Sequence, residues 1–197
     1  MTEKKLTSLS QRYKSELLDN IIPFWEKNSN DSEHGAYFTC LDRYGKVYDT
    51  DKFTWMQARQ MWMFSHLYKH FENRPNWKEI AMNGAGFLRK NGRDEEGNWF
   101  FALNREGKPL VQAYNIFSDC FASMAFAGYY RLSANDEDAE IATTTFMNIL
   151  SRLDNPKGKY NKQYPGTRNL KSLSLPMILC NLVLELEHLI SSDLLER

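Results

Sequence analysis

Neither sign of charge is in excess in this chain: 25 lysines and arginines stand against 25 aspartates and glutamates in 197 residues. Without a net field there is no long-range pull toward nucleic acid or an anionic membrane, so any anion recognition has to be local. Long apolar runs are also missing. The longest charge-free candidate near the C-terminus, 172–184, falls short of the roughly 20 residues a membrane span needs and contains Pro176. The opening residues, MTEKKLTSLS, have lysines but no apolar segment behind them, which does not read as a secretory signal and suggests a cytoplasmic protein. Cysteine is scarce and odd in number: Cys40, Cys120 and Cys180 fit neither a disulfide framework nor a zinc motif, and are expected to be buried reduced thiols. No G-x-S-x-G, Walker or dinucleotide fingerprint occurs. Of the four histidines only His66 and His70 share a helical i, i+4 spacing, and no third metal ligand is evident, so no metal site is expected.

What the sequence does contain is a repeat. Shifted by 62 positions, residues 35–46 (GAYFTCLDRYGK) fall on 97–108 (GNWFFALNREGK), with identity at Gly35/Gly97, Phe38/Phe100, Leu41/Leu103, Arg43/Arg105, Gly45/Gly107 and Lys46/Lys108. Bulky residues alternate up to a D-R-x-G or N-R-x-G turn, the pattern of a short β-hairpin. A third unit is expected from about Gly158.

The helical stretches between hairpins are of two kinds. Residues 4–27, 76–90 and about 136–153 mix apolar residues at helical spacing with many charges, and the last opens with Asp136, Glu137, Asp138 and Glu140, suited to a helix N-terminus. These read as outer helices. Residues 53–68 carry one formal charge, Arg59, residues 109–130 carry only Asp119, and 172–184 carry none. These read as inner helices. The spacing therefore predicts an all-α chain, 1–197 as a single domain, of three outer–inner pairs with β-hairpins between them. A ring that hides its inner helices uses six pairs, about 372 residues at this period, so the chain reads as half of such a ring: a fragment of a longer protein, one of two copies that complete each other as a homodimer, or a curved open layer with an exposed concave face.

On the first inner helix Trp55, Arg59, Trp62 and His66 fall within an arc of about 60°. A guanidinium between indoles suits an oxyanion or a hydroxyl-rich ligand. The alternative is that Arg59 pairs with Asp119 and the tryptophans are core. At the mouth of the second inner helix Tyr114 and Asn115 offer a phenol and an amide to a ligand, or a packed aromatic and a cap. Between 155 and 184 Lys157, Lys159, Lys162, Arg168 and Lys171 are unopposed by acids, around Gly158, Pro165 and Gly166: a phosphate-receiving loop, or simply a solvated basic one.

The runs GAYFTCLDR (35–43), DTDKF (49–53), WMQARQMWMF (55–64), YNIFSDCF (114–121), GKYNK (158–162) and YPGTR (164–168) together resemble the N-acylglucosamine 2-epimerases over about residues 12–190, as far as the N-terminal half of such an enzyme. The resemblance implies an (α/α)6 barrel and interconversion of N-acetylglucosamine and N-acetylmannosamine by removal and return of the C2 proton of the ring-opened sugar. It gives Arg59 the role of stabilising enolate charge, gives Trp55, Tyr114 and Asn115 sugar contacts, and makes Lys159, Lys162 and Arg168 part of a nucleotide-binding segment, with ATP as an activator that is not consumed. The family's two histidine bases match none of His34, His66, His70 or His188, so the chain alone is expected to be inactive. The segment SLPMI (174–178) resembles the acetylglucosamine type rather than the aldose–ketose isomerases or disaccharide 2-epimerases, which remain the alternative enzymes on this scaffold; a noncatalytic sugar- or partner-binding half-barrel is the alternative outside enzymes.

Overall fold

The computed structural model describes residues 3–157 and 172–191. The third hairpin expected from Gly158, and Lys159, Lys162 and Arg168 with it, lie outside the described residues. The elements run α1 (Glu3–Ser15), a π-helical segment (Glu16–Ile21), α2 (Ile22–Asn28), β1 (Cys40–Leu41), β2 (Val47–Asp49), β3 (Lys52–Phe53), α3 (Thr54–His70), α4 (Pro75–Asn91), β4 (Ala102–Leu103), β5 (Pro109–Val111), α5 (Ile116–Ser133), α6 (Asp136–Ser151) and α7 (Ser174–Leu186). Charge placement has sorted the helices correctly. Helix α5, nearly charge-free, packs against α3, α6 and α7, while α3 also packs against α4. The core joins Met61 and Phe64 of α3, Leu88 of α4, Phe126 of α5, and Phe146 and Ile149 of α6, all essentially inaccessible to water.

Two boundaries differ from the sequence reading. The expected single helix over 4–27 is interrupted: α1 buries nothing, Leu6 and Tyr13 face solvent, and Leu18 and Ile22 enter the core in place of Leu17 and Ile21. Pro23 supplies the reason, since it cannot donate to the carbonyl four residues back and its ring crowds that carbonyl, and a wider π turn just before it relieves both. The second inner helix starts at Ile116, not 109. Pro109 opens an edge strand that pairs with β4, and the Asn115 side chain accepts a hydrogen bond from the Phe117 amide at 3.1 Å, fixing the helix start. The acids at the start of α6 do more than meet the helix dipole. Asp138 is fully buried, pairs with Arg89 of α4 and accepts from the Ser133 hydroxyl at 2.7 Å. Of the cysteines, expected to be buried, only Cys120 is so; Cys40 is half-buried and Cys180 exposed, because α7 buries only Leu182 and Leu186 and leaves its other faces open.

The repeat is also visible in the hydrogen bonds. Both hairpins are antiparallel, β1 with β2 and β4 with β5, and β3 joins β4 so that the first unit is hydrogen-bonded to the second. In each turn Asp42 or Asn104 accepts through its side chain from the amide of Lys46 or Lys108, at 2.9 and 2.7 Å. Gly45 and Gly107 adopt φ of 89° and 92°, and a Cβ at either would strike Asn28 or Asn91, each of which donates back to a carbonyl of its own helix. The bulky partners Tyr37 and Trp99 are fully buried and each reaches the next outer helix: the Tyr37 hydroxyl donates to Ile80 O at 2.8 Å, and Trp99 Nε1 to Thr145 Oγ1 at 3.1 Å.

Candidate functional site

Inner helices α3, α5 and α7, with the end of α2, line a cavity of about 830 Å³. Helix α3 contributes Arg59, Gln60 and Trp62, α5 contributes Phe121, and α7 contributes Asn181 and Glu185; Trp25 closes it from α2. The polar–aromatic stripe of α3 forms as the 3.6-residue period requires. The Arg59 guanidinium carbon lies 5.7 Å from the Trp55 ring centroid and 5.5 Å from that of Phe121. Two turns along the helix, the Trp62 and His66 rings are 4.1 Å apart, and His66 and His70 follow at 5.0 Å. Gly128 of α5 permits this stacking, since a Cβ there would lie 2.9 Å from Trp62 Cδ1.

Arg59 does not pair with Asp119. That carboxylate is buried on the opposite side of α5, where Oδ1 accepts from Arg152 Nη1 at 3.1 Å. Burial pushes the Asp119 carboxyl up to about 6, with Arg152 and the Trp99 amide opposing the shift. Among the described residues no carboxylate reaches the Arg59 guanidinium, which is exposed to the cavity and held by two rings alone. Its positive charge is therefore uncompensated, and cation–π contact fixes its position without neutralising it.

His66 Nε2 lies 3.9 Å from Glu185 Oε1. Burial lowers the pKa of its imidazole, Glu185 pulls it back, and His70 and Arg131 add to the lowering. The imidazole sits seven residues, about 10 Å of helix rise, from Arg59 and is not among the residues that line the inner cavity.

At the hairpin end Tyr114 is partly exposed and its ring lies 5.0 Å from that of Phe101. Asn115 has its carbonyl oxygen committed to the helix cap and contributes its remaining amide edge to a second, smaller cavity that also includes Trp55. The structure thus brings Trp55, Arg59 and Asn115 to neighbouring cavities, with Tyr114 beside them. Sequence periodicity on one helix could not point to Trp25, Asn181 or Glu185, which come from other elements. Phe121 did carry a signal, since the 62-residue shift superimposes it on Arg59.

Known proteins resemble the chain over most of its length. The family model described as N-acylglucosamine 2-epimerase matches residues 35–191. The bovine N-acylglucosamine 2-epimerase is 36% identical over 174 residues, covering 86% of this chain and 41% of that protein. A cellobiose 2-epimerase of Ruminococcus albus is 31% identical over 139 residues, 69% of this chain and 35% of that one. Among solved structures, the cellobiose 2-epimerase from Bacillus thermoamylovorans superimposes with a TM-score of 0.81 at 20% identity, over 96% of this chain and 53% of that chain. The chain therefore spans about two-fifths of the length of the curated relatives it matches and about half of that structure, an (α/α)6 barrel. Three outer–inner pairs, with the far side of α7 uncovered, are half of such a ring. No helix among the described residues is long and apolar enough to cross a membrane.

Proposed function

The chain belongs to the N-acylglucosamine 2-epimerase family, and from that premise we propose that it forms the substrate-orienting, charge-stabilising half of a 2-epimerase acting on N-acetylglucosamine and N-acetylmannosamine. One observation carries the proposal: the Arg59 guanidinium faces the inner cavity, oriented by Trp55 and Phe121 and unneutralised by any acid among the described residues. Removing the C2 proton of an open-chain sugar moves charge onto the carbonyl oxygen. A preoriented cation at that oxygen lowers the barrier, because it interacts more strongly with the enolate than with the neutral carbonyl. Trp55 and Tyr114 supply ring faces for the sugar's C–H surfaces, and Asn115 an amide edge.

The reaction also needs a base on each face of C2. His66 does not line the cavity that Arg59 faces. Both bases are assigned to the part of the ring beyond these three pairs, so the chain alone binds sugar and does not epimerise it. No cofactor is required by this chemistry; ATP acts as an unconsumed activator through Lys159, Lys162 and Arg168. The protein works in the cytoplasm, and two copies associating through their open inner faces are the proposed homodimer. The acetylated monosaccharides are preferred to cellobiose as substrates because the mammalian relatives share more identity, over more of the chain, than the cellobiose 2-epimerases do.

The test is a titration of the chain with N-acetylglucosamine followed by NMR, with C2 proton exchange in deuterated water measured on the same sample. Binding without exchange is expected, and Arg59→Ala should weaken binding about tenfold or more, the worth of a charge-assisted hydrogen bond. Exchange at a wild-type rate by a verified 197-residue chain refutes the placement of the bases. Absence of any sugar binding refutes the reading of the cavity.

A further inference from the structure

Among its described lining residues the inner cavity has one cation and one acid, Arg59 on α3 and Glu185 on α7. The Glu185 carboxylate accepts no hydrogen bond among the described residues, and 21% of its side chain is exposed. Behind it stands the His66 imidazole, with Nε2 3.9 Å from Oε1, beyond hydrogen-bond reach. The imidazole is held in place. Its ring is stacked 4.1 Å from that of Trp62 and 5.0 Å from that of His70, and a Cβ at Gly128 of α5 would come within 3.7 Å of Nδ1. The carboxylate, on two rotatable bonds more, is the member of the pair that can turn. Because His66 lies seven residues from Arg59, Glu185 marks a point roughly 10 Å along α3 from the guanidinium.

We propose that Glu185 accepts a hydrogen bond from the C6 hydroxyl of the open-chain sugar, and that His66 is a positioning residue that competes with that hydroxyl for the carboxylate. The inference rests on the reading of Arg59 as the carbonyl-oxygen ligand. An open six-carbon chain with an oxygen at each end matches the span from Arg59 to Glu185, so an aldehyde oxygen at the guanidinium brings the C6 hydroxyl to the carboxylate. Beside a neutral imidazole both carboxylate oxygens are open to the sugar. An imidazolium adds a proton on Nε2, and as a charge-assisted donor it outcompetes a neutral hydroxyl. Burial does most to disfavour that imidazolium; Glu185 opposes, His70 and Arg131 add to the lowering, and the Trp62 backbone opposes. The other charged groups on the adjoining elements have partners of their own: Arg131 of α5 lies 3.7 Å from Glu187, and His188 Nε2 donates to Ala127 O at 3.2 Å. The carboxylate is thus left to the sugar at alkaline pH and is withdrawn as the pH falls through the His66 pKa.

The experiment is a set of NMR titrations of the chain with two alditols locked in the open-chain form, N-acetylglucosaminitol and its 6-deoxy analogue, from about pH 8 to about pH 5, on wild type, Glu185→Gln and His66→Phe. At about pH 8 wild type is expected to bind the 6-deoxy alditol about tenfold more weakly than the parent, as for the loss of a hydrogen bond to a charged group, and Glu185→Gln to narrow that gap to about threefold. As the pH falls, wild-type affinity for the parent should drop about threefold to tenfold at the midpoint of the His66 ring-proton titration, a step absent for the 6-deoxy alditol and from His66→Phe. Saturation with the parent alditol should lower that midpoint, since the sugar and the imidazolium exclude one another at the carboxylate. Equal binding of the two alditols by wild type overturns the assignment of Glu185 while leaving the sugar-binding reading intact. A His66 midpoint that the sugar does not move, or a step that persists in His66→Phe, overturns the role of His66. If neither alditol binds, the reading of Arg59 falls, and this one with it. The wild-type ligand series and the His66 midpoint decide the matter even if the variants do not fold.

Discussion

Lys52 is the most demanding residue in the hairpin layer, and replacing it with methionine tests how the first two units are joined. Its ammonium is wholly buried, and its three protons are all used: Asp31 Oδ2 at 3.0 Å, Gly35 O at 2.5 Å and Arg105 O at 2.9 Å. Asp31 and Gly35 belong to the first unit and Arg105 to the second, and Arg105 returns to Asp31 through Nε and Nη2 at 3.0 and 3.1 Å. Burial alone would raise the Asp31 carboxyl; Arg105, Lys52 and the His34 amide reverse that and hold it far below the usual range. Lys52 itself is lowered by burial, with Asp31 opposing. Methionine keeps the apolar stem but leaves two partly buried carbonyls without donors, at about 1–2 kcal/mol each, while Asp31 retains Arg105 and the Glu33 and His34 amides. The lysine's own desolvation cost is recovered and roughly offsets the lost bond to Asp31, so the net loss is about 2–4 kcal/mol, near the range for breaking a buried pair. In urea, with a slope of roughly 2 kcal/mol/M, the unfolding midpoint should fall by about 1–2 M. Lys108→Met, at an exposed position on the second hairpin, should leave it unchanged. A Lys52→Met midpoint within about 0.3 M of wild type would refute the claim that this ammonium joins the units.

Asp119 gives a pH signature of opposite sign to an ordinary paired carboxylate. Because burial raises its folded value to about 6, the folded state holds the proton more tightly, and its contribution to stability declines as pH rises from about 4 to 6, by about 3 kcal/mol in full. Asp119→Asn should therefore gain stability relative to wild type across that window, and parallel pH profiles would count against the burial argument. Gly84 lies under the Tyr37 hydroxyl, where a Cβ would sit 2.1 Å from the oxygen. Gly84→Ala should cost about 1–3 kcal/mol by overpacking, and Tyr37→Phe about 1 kcal/mol for the lost bond to Ile80 O. The double variant should cost less than their sum, and strict additivity in a double-mutant cycle would show that the two do not meet.

The hairpins were legible because their turns demand particular residues: a left-handed glycine and a side-chain acceptor three residues before it recur at a fixed offset. The match upstream of them went unseen for an identifiable reason. Asn28 and Asn91, and Asp31 and Asp94, are 63 apart rather than 62, because the first unit spends four residues from Asp31 to Gly35 where the second spends three from Asp94 to Gly97. The first closes that turn with Gly35 N donating to Asp31 O, the second with Gly97 N donating to Asp94 O. A rigid shift of 62 loses register there. The interruption before Pro23 was likewise outside the reach of periodicity, which assumes 3.6 residues per turn throughout. In the site, the stripe on α3 was legible because one helix supplies it, whereas the partners from α2 and α7 are set by packing across elements.

The repeat also explains why pairing Arg59 with Asp119 could not hold. A shift of 62 superimposes Asp119 on Gln57, and Gln57 faces the hairpin: its Oε1 accepts from Tyr37 N at 2.9 Å and its Nε2 donates to Tyr37 O at 3.0 Å. A carboxylate at the equivalent place can accept but cannot donate, so Asp119 takes a cation, Arg152, as its second partner. Two residues further on, about 200° around the helix, stand Arg59 and Phe121, which face the inner cavity. Helices α3 and α5 therefore each hold a hairpin with one face and present a side chain to the cavity from the other. Substitutions at 57 or 119 act on stability, and those at 59 or 121 act on what the cavity binds. Arg59→Ala should accordingly lower sugar affinity while leaving the urea midpoint within about 0.3 M of wild type, since an exposed guanidinium held only by rings contributes little to folding. A midpoint that falls as steeply as for Lys52→Met would mean that Arg59 is part of the scaffold, and that the two faces are not separate.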